Sequence, residues 1–328
     1  MSAVADLALE LRAAPGLAHK RDIAAVAGSL GLGAASPVPV GDDCAAIPDG
    51  GGFLLLAGEG FLGSFVAADP WFAGYCAVMV NLSDVAAMGG RPTALIDILW
   101  AADADHAAPM LAGLKAGAET YGVPLVGGHS NLRSPAAELG AAILGRAQRL
   151  ITSFDAKPGD DLIFAVDLRG RYREPAAYWD ASTAAPATRL RGDLEILPRL
   201  AEDGLVCAGK DVSMAGFVGT TLMLLEGSGC GAVLEVGKIP RPQTAPLARW
   251  LQSFPSFGFV LSVARARSAA VLQRFAERGI AAAVAGRVTE RPQLRLRLDG
   301  EEAPFWDLEA APLIGCGRPA PAKETARA

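Results

Sequence analysis

Apolar residues recur along this chain at two periods, and the alternation between them marks out the elements. Residues 3–13 and 20–30 space their Leu, Val, Ile and Ala residues as short helices do, with Pro15-Gly16 between them. The stretch SPVPVGDDCAAIPDGGGFLLLAGEG predicts two strands joined by a turn at Gly50–Gly52. From Trp71 to Met88, the residues Phe72, Tyr75, Met79, Leu82 and Ala86 fall on one helical stripe. Gly89-Gly90 closes that helix and Pro92 bars its continuation. A strand Thr93–Trp100, a helix His106–Tyr121 capped by Gly122, a strand Val123–Val126 and a strand Ala137–Arg146 follow. The segment Ala156 to Asp161, AKPGDD, is polar and turn-rich and precedes a fresh apolar strand, Leu162–Val166, so it is the expected domain boundary. Beyond it the pattern predicts helices near 192–203, 214–226, 244–252 and 267–278, and strands near 231–236, 257–263, 283–288 and 293–298. The expected class is α+β with mixed α/β character, in two domains over 1–155 and 156–318, with a disordered tail over 319–328.

Composition sharpens this picture. A chain of 328 residues, 51% of them hydrophobic, is too long for one ordinary core and suits two. Net charge is −5, and it is unevenly placed. Residues 1–152 carry 8 Lys and Arg against 14 Asp and Glu, while the remainder carries 22 against 21. An acidic half without a basic stripe argues against a nucleic-acid partner. The five cysteines, at 44, 76, 207, 230 and 316, form no C-x-x-C pair and no zinc spacing, which fits reduced thiols in the cytoplasm. The N-terminus has acids at Asp6 and Glu10 and no long apolar core, so a signal peptide is not expected. The longest apolar run, Phe217 to Leu225, is too short to span a bilayer and ends in Glu226, so no membrane partner is expected either.

Three short motifs carry candidate chemistry. In Gly41-Asp42-Asp43, two adjacent carboxylates repel each other, and a shared buried setting needs a cation such as magnesium, which prefers hard oxygen ligands. Read alone, the same residues suit an exposed turn. In VNLSDVAAMGGRP, Asn81 and Asp84 are three apart and share a helix face. Such a pair either lies on the polar side of an amphipathic helix or is buried against something it binds. In Gly127-Gly128-His129-Ser130, glycines at a strand end let backbone amides approach a phosphate, and His129 can ligate metal or donate to phosphate. A turn with a structural histidine accounts for it equally well. Two stretches are decoys. GLVCAGKD (204–211) has Asp211 where a P-loop needs Ser or Thr, and GSGCGA (227–232) precedes a strand where a dinucleotide loop follows one.

The order of these motifs says more than any one of them. GDDCAAI, VNLSDVAAMGGRP, YGVPLVGGHS and KPGDDLIF, taken in sequence, resemble the aminoimidazole ribonucleotide (AIR) synthetase superfamily over roughly residues 20–315. That superfamily includes thiamine-monophosphate kinase, selenophosphate synthetase and the hydrogenase maturation dehydratase. The resemblance implies a two-domain AIR-synthase-like fold and a homodimer whose N-terminal domains pair through a β-barrel, with ATP and Mg2+ as cofactors. Asp42, Asp43 and Asp84 match the family's metal-binding carboxylates. Glu59 stands where relatives carry a strand-end Asp, one methylene longer. Asn81, Asp84 and the Gly127 and Gly128 backbone match the nucleotide-phosphate side. The departures bear on substrate. Where thiamine-monophosphate kinases resemble G-G-D, S-D-G and G-E-D-Y-E, this chain reads GGHS, DVSMAG and PSFGF. No cysteine precedes Cys44, the C-terminus has no cysteine tail, and the purine enzyme's G-G-E-T and D-G-V-G-T-K are absent. A subfamily without an assigned substrate remains. Lys210, Asp211 and Ser213, with His129, are its candidates for catalysis on the substrate side of the cleft, and Tyr178, Trp179 and Asp180 are weaker ones. The expected activity is magnesium-dependent phosphoryl transfer from ATP to a small-molecule acceptor. A non-catalytic nucleotide-binding partner of a biosynthetic enzyme is the alternative, and a nicotinamide oxidoreductase lacks its loop.

Overall fold

The structure, a computed structural model, describes residues 2–32 and 38–317, so the tail expected over 319–328 lies outside the described residues. The chain opens with helices α1 (Ala3–Arg12), α2 (Pro15–Lys20) and α3 (Asp22–Leu30). Strands β1 (Ala45–Asp49) and β2 (Gly52–Phe61) form a hairpin, followed by α4 (Gly63–Ala68) and α5 (Pro70–Ala87). Then come β3 (Arg91–Trp100), α6 (Ala104–Tyr121), β4 (Leu125–Asn131) and β5 (Glu138–Ala147).

Local chemistry sets the two long helices. Asp69 caps α5 by accepting the Phe72 N–H at 3.2 Å, and Pro70 occupies the first helical position. Asp103 likewise accepts the His106 N–H at 2.9 Å to start α6, and Gly122, at φ 72°, ends it. The helices touch backbone to backbone: a Cβ on Gly74 would lie 2.0 Å from the Met110 carbonyl oxygen, and one on Gly113 1.9 Å from that of Trp71. The stripe predicted along α5 is corrected by this packing. Every residue from Phe72 to Ala87 is buried, because the helix is enclosed by a sheet, by α6 and by the second half of the chain, so Asn81 and Asp84 have no polar face to occupy.

That sheet runs β1-β2-β5-β3-β4, antiparallel except for the β3–β4 pair. Its inner face, with Leu55, Leu95, Leu99 and Ile143, packs under α5 and α6. Its outer face exposes Ile47, Leu56 and Ile96. The strand predicted at 123–126 runs on through Gly127, Gly128 and His129 to Asn131 as an edge strand exposed along its whole length.

The second half contains β6 (Asp161–Val166), β7 (Arg171–Tyr172), β8 (Tyr178–Asp180), α7 (Ala187–Leu194), α8 (Ile196–Glu202), β9 (Ala208–Asp211), α9 (Gly216–Ser228) and β10 (Gly231–Glu235). It continues with α10 (Leu247–Leu251), β11 (Phe254–Pro255), β12 (Gly258–Val263), α11 (Ser268–Ala276), β13 (Ala281–Thr289), β14 (Gln293–Leu298) and β15 (Glu301–Asp307). The large sheet runs β15-β14-β10-β13-β6-β12-β9. Its strand β6 is buried on both faces, which explains its unbroken apolar run. Leu162, Phe164 and Val166 enter the core under α9, and Ile163 and Ala165 enter the core under α8 and α11. Strands β11, β8 and β7 form a small separate sheet.

Packing departs from chain order at the N-terminus. The α1 stripe Val4, Leu7, Ala8 and Leu11 buries itself in the second core against β14 and β15, although a division at 155 assigns it to the first domain. Among the described residues no helix is long and apolar enough to cross a membrane.

Candidate functional site

The two sheets meet where α5 crosses β9, the edge strand of the large sheet. At that junction Asp43, Asp84 and Asp211 each present a carboxylate oxygen, and the three lie within 4.8 Å of one another. Asp84 comes from the C-terminal part of α5, Asp211 from the end of β9, and Asp43 from the segment entering β1. Asp211 also donates its backbone N–H to Asp43 Oδ2 at 3.3 Å. Lys210, 5% exposed, is the counter-charge: its Nζ bonds Asp43 Oδ1 and stands 4.0 Å from Asp42 Oδ1.

The adjacent acids Asp42 and Asp43 therefore separate. Asp42 turns toward Ser153, accepting its N–H and its hydroxyl at 2.7 Å each, and accepts the Asp43 N–H as well. It anchors the loop, while Asp43 faces the carboxylate group. Asp211, expected on the substrate side, is instead a third member of the metal-ready set. Glu59, expected as a metal ligand, lies outside the 4.8 Å group, though its charge is felt at both Asp84 and Asp211.

Electrostatics match this crowding. Burial, then the Asp211 and Glu59 charges, pushes the Asp84 carboxyl well above its ordinary value. Burial and then Asp43 raise Asp211 to about 8, and burial, partly offset by Lys210, raises Asp42 to about 6. Burial raises Glu59 too, with Lys20 the chief opposing charge. At Lys210 burial acts downward, but Asp43 and Asp42 outweigh it and hold the ammonium above its ordinary value. Lys20, at the end of α2, is a residue the sequence offered no signal for. It acts on both Glu59 and Asp211 while making no ion pair among the described residues. Burial and then Asp84 push the Cys44 thiol well up, so it is not poised as a thiolate.

Unsatisfied atoms locate the demand for a ligand. Five buried side-chain polar atoms of the described residues lack any hydrogen-bond partner, and four belong to Asn81 (Oδ1), Asp84 (Oδ2), Asp97 (Oδ2) and Ser213 (Oγ). Three of those four are acceptor-only oxygens, which a cation or a donor must satisfy. Asp97 is the second residue that motif reading missed. Glu59, Ala141, Asp97 and Gly128 pair in one row across the sheet, so their Cβ directions share the face under α5. Asn81 reaches the Ala141 carbonyl from above at 3.5 Å. A Cβ on Gly128 would sit 2.3 Å from Asp97 Oδ1, so the glycine makes room for that carboxylate.

His129 is not brought to this group within the chain. One residue beyond Gly128, it projects from the opposite face of the sheet, with its ring 5.6 Å from that of Trp100. Ser213 lies two residues past Asp211, its N–H donated to Thr220 Oγ1 at 3.2 Å and its hydroxyl orphaned. Asp180 is taken up by Thr183, Ser182 and Arg173. Tyr178 and Trp179 line a cavity that opens from Glu59.

The structure is thus two mixed domains with an all-oxygen cluster where they meet, its carboxylates outnumbering the one buried lysine paired with them. The family follows from the sequence. Residues 41–147 match the AIR synthase related protein N-terminal domain and residues 179–299 its C-terminal domain, so the chain belongs to the AIR synthase related proteins. It is 47% identical over 315 residues to the uncharacterized protein sll0787 of Synechocystis sp., covering 94% of this chain and 98% of that one. It is 30% identical over 292 residues to the thiamine-monophosphate kinase of Synechococcus elongatus, covering 79% and 86%. Among solved structures, T. maritima PurL complexed with ATP superposes with a TM-score of 0.68 at 20% identity over 83% of this chain. This chain spans 46% of that one, about half its length.

Proposed function

We propose that this protein binds ATP with Mg2+ at Asp43, Asp84 and Asp211 and transfers the γ-phosphoryl group to a small-molecule acceptor. The observation that carries the reading is the convergence of three buried carboxylates against one buried lysine, with unpartnered oxygens on Asp84, Asn81 and Asp97 around them. A kinase among the relatives and a structural neighbour complexed with ATP support it.

The donor set fits magnesium: every candidate ligand is a hard oxygen, and the group offers few enough of them to leave positions for phosphate and water. Held by Asp43, Asp84 and Asp211, a magnesium ion would supply charge neutralisation for the triphosphate. The chain's residues do the remainder. Asp43, Asp84 and Asp211 hold the charge, with Lys210 fixing Asp43 in place. Lys20 supplies a cation for phosphate oxygens, and Asn81 offers its amide oxygen. Glu59, outside the ligand group and lining the cavity, accepts the proton of the acceptor hydroxyl. The acceptor oxygen forms a bond to the γ-phosphorus as the bond to the β–γ bridging oxygen breaks, leaving the electron pair on ADP.

The reading includes a homodimer formed through the N-terminal sheet. Its support is the outer face, where Ile47, Leu56 and Ile96 are 48%, 47% and 39% exposed. It also includes a cytoplasmic location, supported by the dispersed, unpaired cysteines.

Nucleotide turnover tests the proposal. ADP release should require Mg2+ and rise when a cognate acceptor is added, and it should disappear in Asp211→Asn. Turnover that persists in excess EDTA, or at an unchanged rate in Asp211→Asn, would sink it. Tight Mg–nucleotide binding without turnover across a broad acceptor panel would identify a binding paralogue instead.

A further inference from the structure

Beside the carboxylate group lies a cavity lined mostly by apolar and aromatic side chains. Both halves of the chain build it. The first supplies Phe61, Phe65 and Phe72, and the second supplies Tyr178 and Phe254. Their rings form a connected set: Phe65 meets Tyr178 edge-on at 5.2 Å and Phe72 at 6.1 Å, and Tyr178 meets Phe254 at 6.4 Å. Arg173 braces the wall from behind, its guanidinium 4.0 Å from the Phe72 ring centroid and paired with Asp69.

The polar groups in this cavity are few and specific. Glu59 lines it and its charge is felt at Asp84 and Asp211, and Ser256 lines it with a hydroxyl oxygen that already accepts the Ala181 N–H at 2.9 Å. The Tyr178 hydroxyl has no hydrogen-bond partner among the described residues, and burial holds its phenol above the ordinary value. The Trp179 indole N–H is already donated to the Asp167 carbonyl at 2.9 Å, so that residue contributes only its ring. No lysine or arginine among the described residues lines the cavity. A phosphorylated or carboxylated acceptor would find no cation there and would face Glu59. A sugar or polyol would leave most of its hydroxyls against aromatic carbon, at the full cost of desolvating them.

We infer that the acceptor is a flat aromatic compound, neutral or cationic, whose ring occupies this cavity and whose hydroxyl projects past Glu59 toward the carboxylate group. The inference rests on the phosphoryl-transfer reading for the fate of that hydroxyl and on the cavity alone for the ring. Aromatic walls hold a ring through edge-on and stacked contacts that an aliphatic chain of equal area does not make. The single phenol at Tyr178 then orients one polar ring substituent.

The experiment uses benzyl alcohol as the aromatic probe, with glycerol and benzoate as the polyol and anionic comparisons. Ligand-observed NMR on the full chain should show benzyl alcohol binding about tenfold or more tighter than either. Phe65→Ala should weaken it about tenfold, with Phe65→Tyr retaining most of the affinity as the check on folding. Equal binding of glycerol, preference for benzoate, or indifference to both Phe65 variants would overturn the inference. Binding of Mg–AMPPCP, measured in the same samples, separates the two claims. If the nucleotide binds and benzyl alcohol does not, the aromatic acceptor falls alone. If benzyl alcohol binds and the nucleotide does not, the ring site stands and its role as a phosphoryl acceptor falls.

Discussion

Two groups of buried aspartates lie in this molecule, and they are held in opposite ways. Asp167, Asp180 and Asp193 are 2%, 6% and 1% exposed, as sequestered as Asp84 and Asp211 at 6% and 2%. The first three are met by guanidinium groups from several elements. Arg169 bonds Asp167 at 2.8 Å and Asp193 at 3.0 Å, Arg278 bonds Asp193 at 2.9 Å, Arg189 reaches Asp167 at 3.2 Å, and Arg173 approaches Asp180. At the other group, Asp42, Asp43, Asp84 and Asp211 share one buried lysine, and Asp84 keeps an oxygen with no partner. Burial of carboxylates alone therefore says nothing about function. In the first, closed group every carboxylate is met by at least one guanidinium, although Arg189 Nε keeps no hydrogen-bond partner, whereas in the second, open group the carboxylates outnumber the counter-charge.

The largest effect should come from opening the closed group. Asp193→Ala removes the carboxylate that Arg278 pairs with and one of the two that Arg169 shares, and, with both arginines partly screened by solvent, should cost about 3–4 kcal/mol in urea unfolding, with or without Mg2+. A loss below about 1 kcal/mol would mean that the network is dispensable. Next comes Lys210→Met, which removes the lone counter-charge of the open group. It should destabilise the metal-free protein by about 3 kcal/mol, and saturating Mg2+ should restore much of that loss, which no ion restores at Asp193.

The pH dependence is smaller per unit and carries a definite sign. Asp211 and Asp42 are raised in the folded state to about 8 and about 6, so between their ordinary value of 3.8 and those points the folded chain binds more protons than the unfolded one. Their contribution is complete below about pH 4 and is lost as pH rises through about 6 and about 8, by at most about 1.4 kcal/mol per unit per group. Urea midpoints of the metal-free protein should therefore fall from about pH 5 to about pH 8, less steeply in Asp211→Asn. Mg2+ should flatten the profile by holding the carboxylates ionised. A profile unaltered by either change would remove the open group from the account. The smallest effect belongs to an exposed pair, Lys115 with Glu119 at 3.9 Å, where Lys115→Ala should stay within about 0.5 kcal/mol.

Much of this contrast could be read from the residues alone, and the gaps have physical causes. The motif order identified the family, and Asp43 and Asp84 do converge. The helix end at Gly122 was visible because caps are local chemistry. The separation of Asp42 from Asp43 was not visible, since it depends on Ser153, 111 positions away. Nor was the meeting of Lys210 with Asp43, 167 positions apart, made by a four-residue edge strand too short to show periodicity. GLVCAGKD, rightly set aside as a P-loop, still delivers the lysine and the third carboxylate. His129 lies apart from the carboxylate group for a reason of parity. One step along a strand reverses the face, and the predicted strand end left its register open. Asp97 belongs to no motif, and its row with Glu59 and Gly128 exists only once the strands are paired.

The central claim is that the open group is a magnesium–nucleotide site, and calorimetry on Asp84→Asn tests it most directly. Titration of AMPPCP into the wild-type chain with Mg2+ should give saturable binding that EDTA removes. Asp84→Asn keeps the side chain's shape and relieves repulsion from Asp211 and Glu59, so it should fold at least as stably while losing about 100-fold or more in nucleotide affinity. Wild-type affinity for Mg–AMPPCP in a folded Asp84→Asn protein would contradict the account.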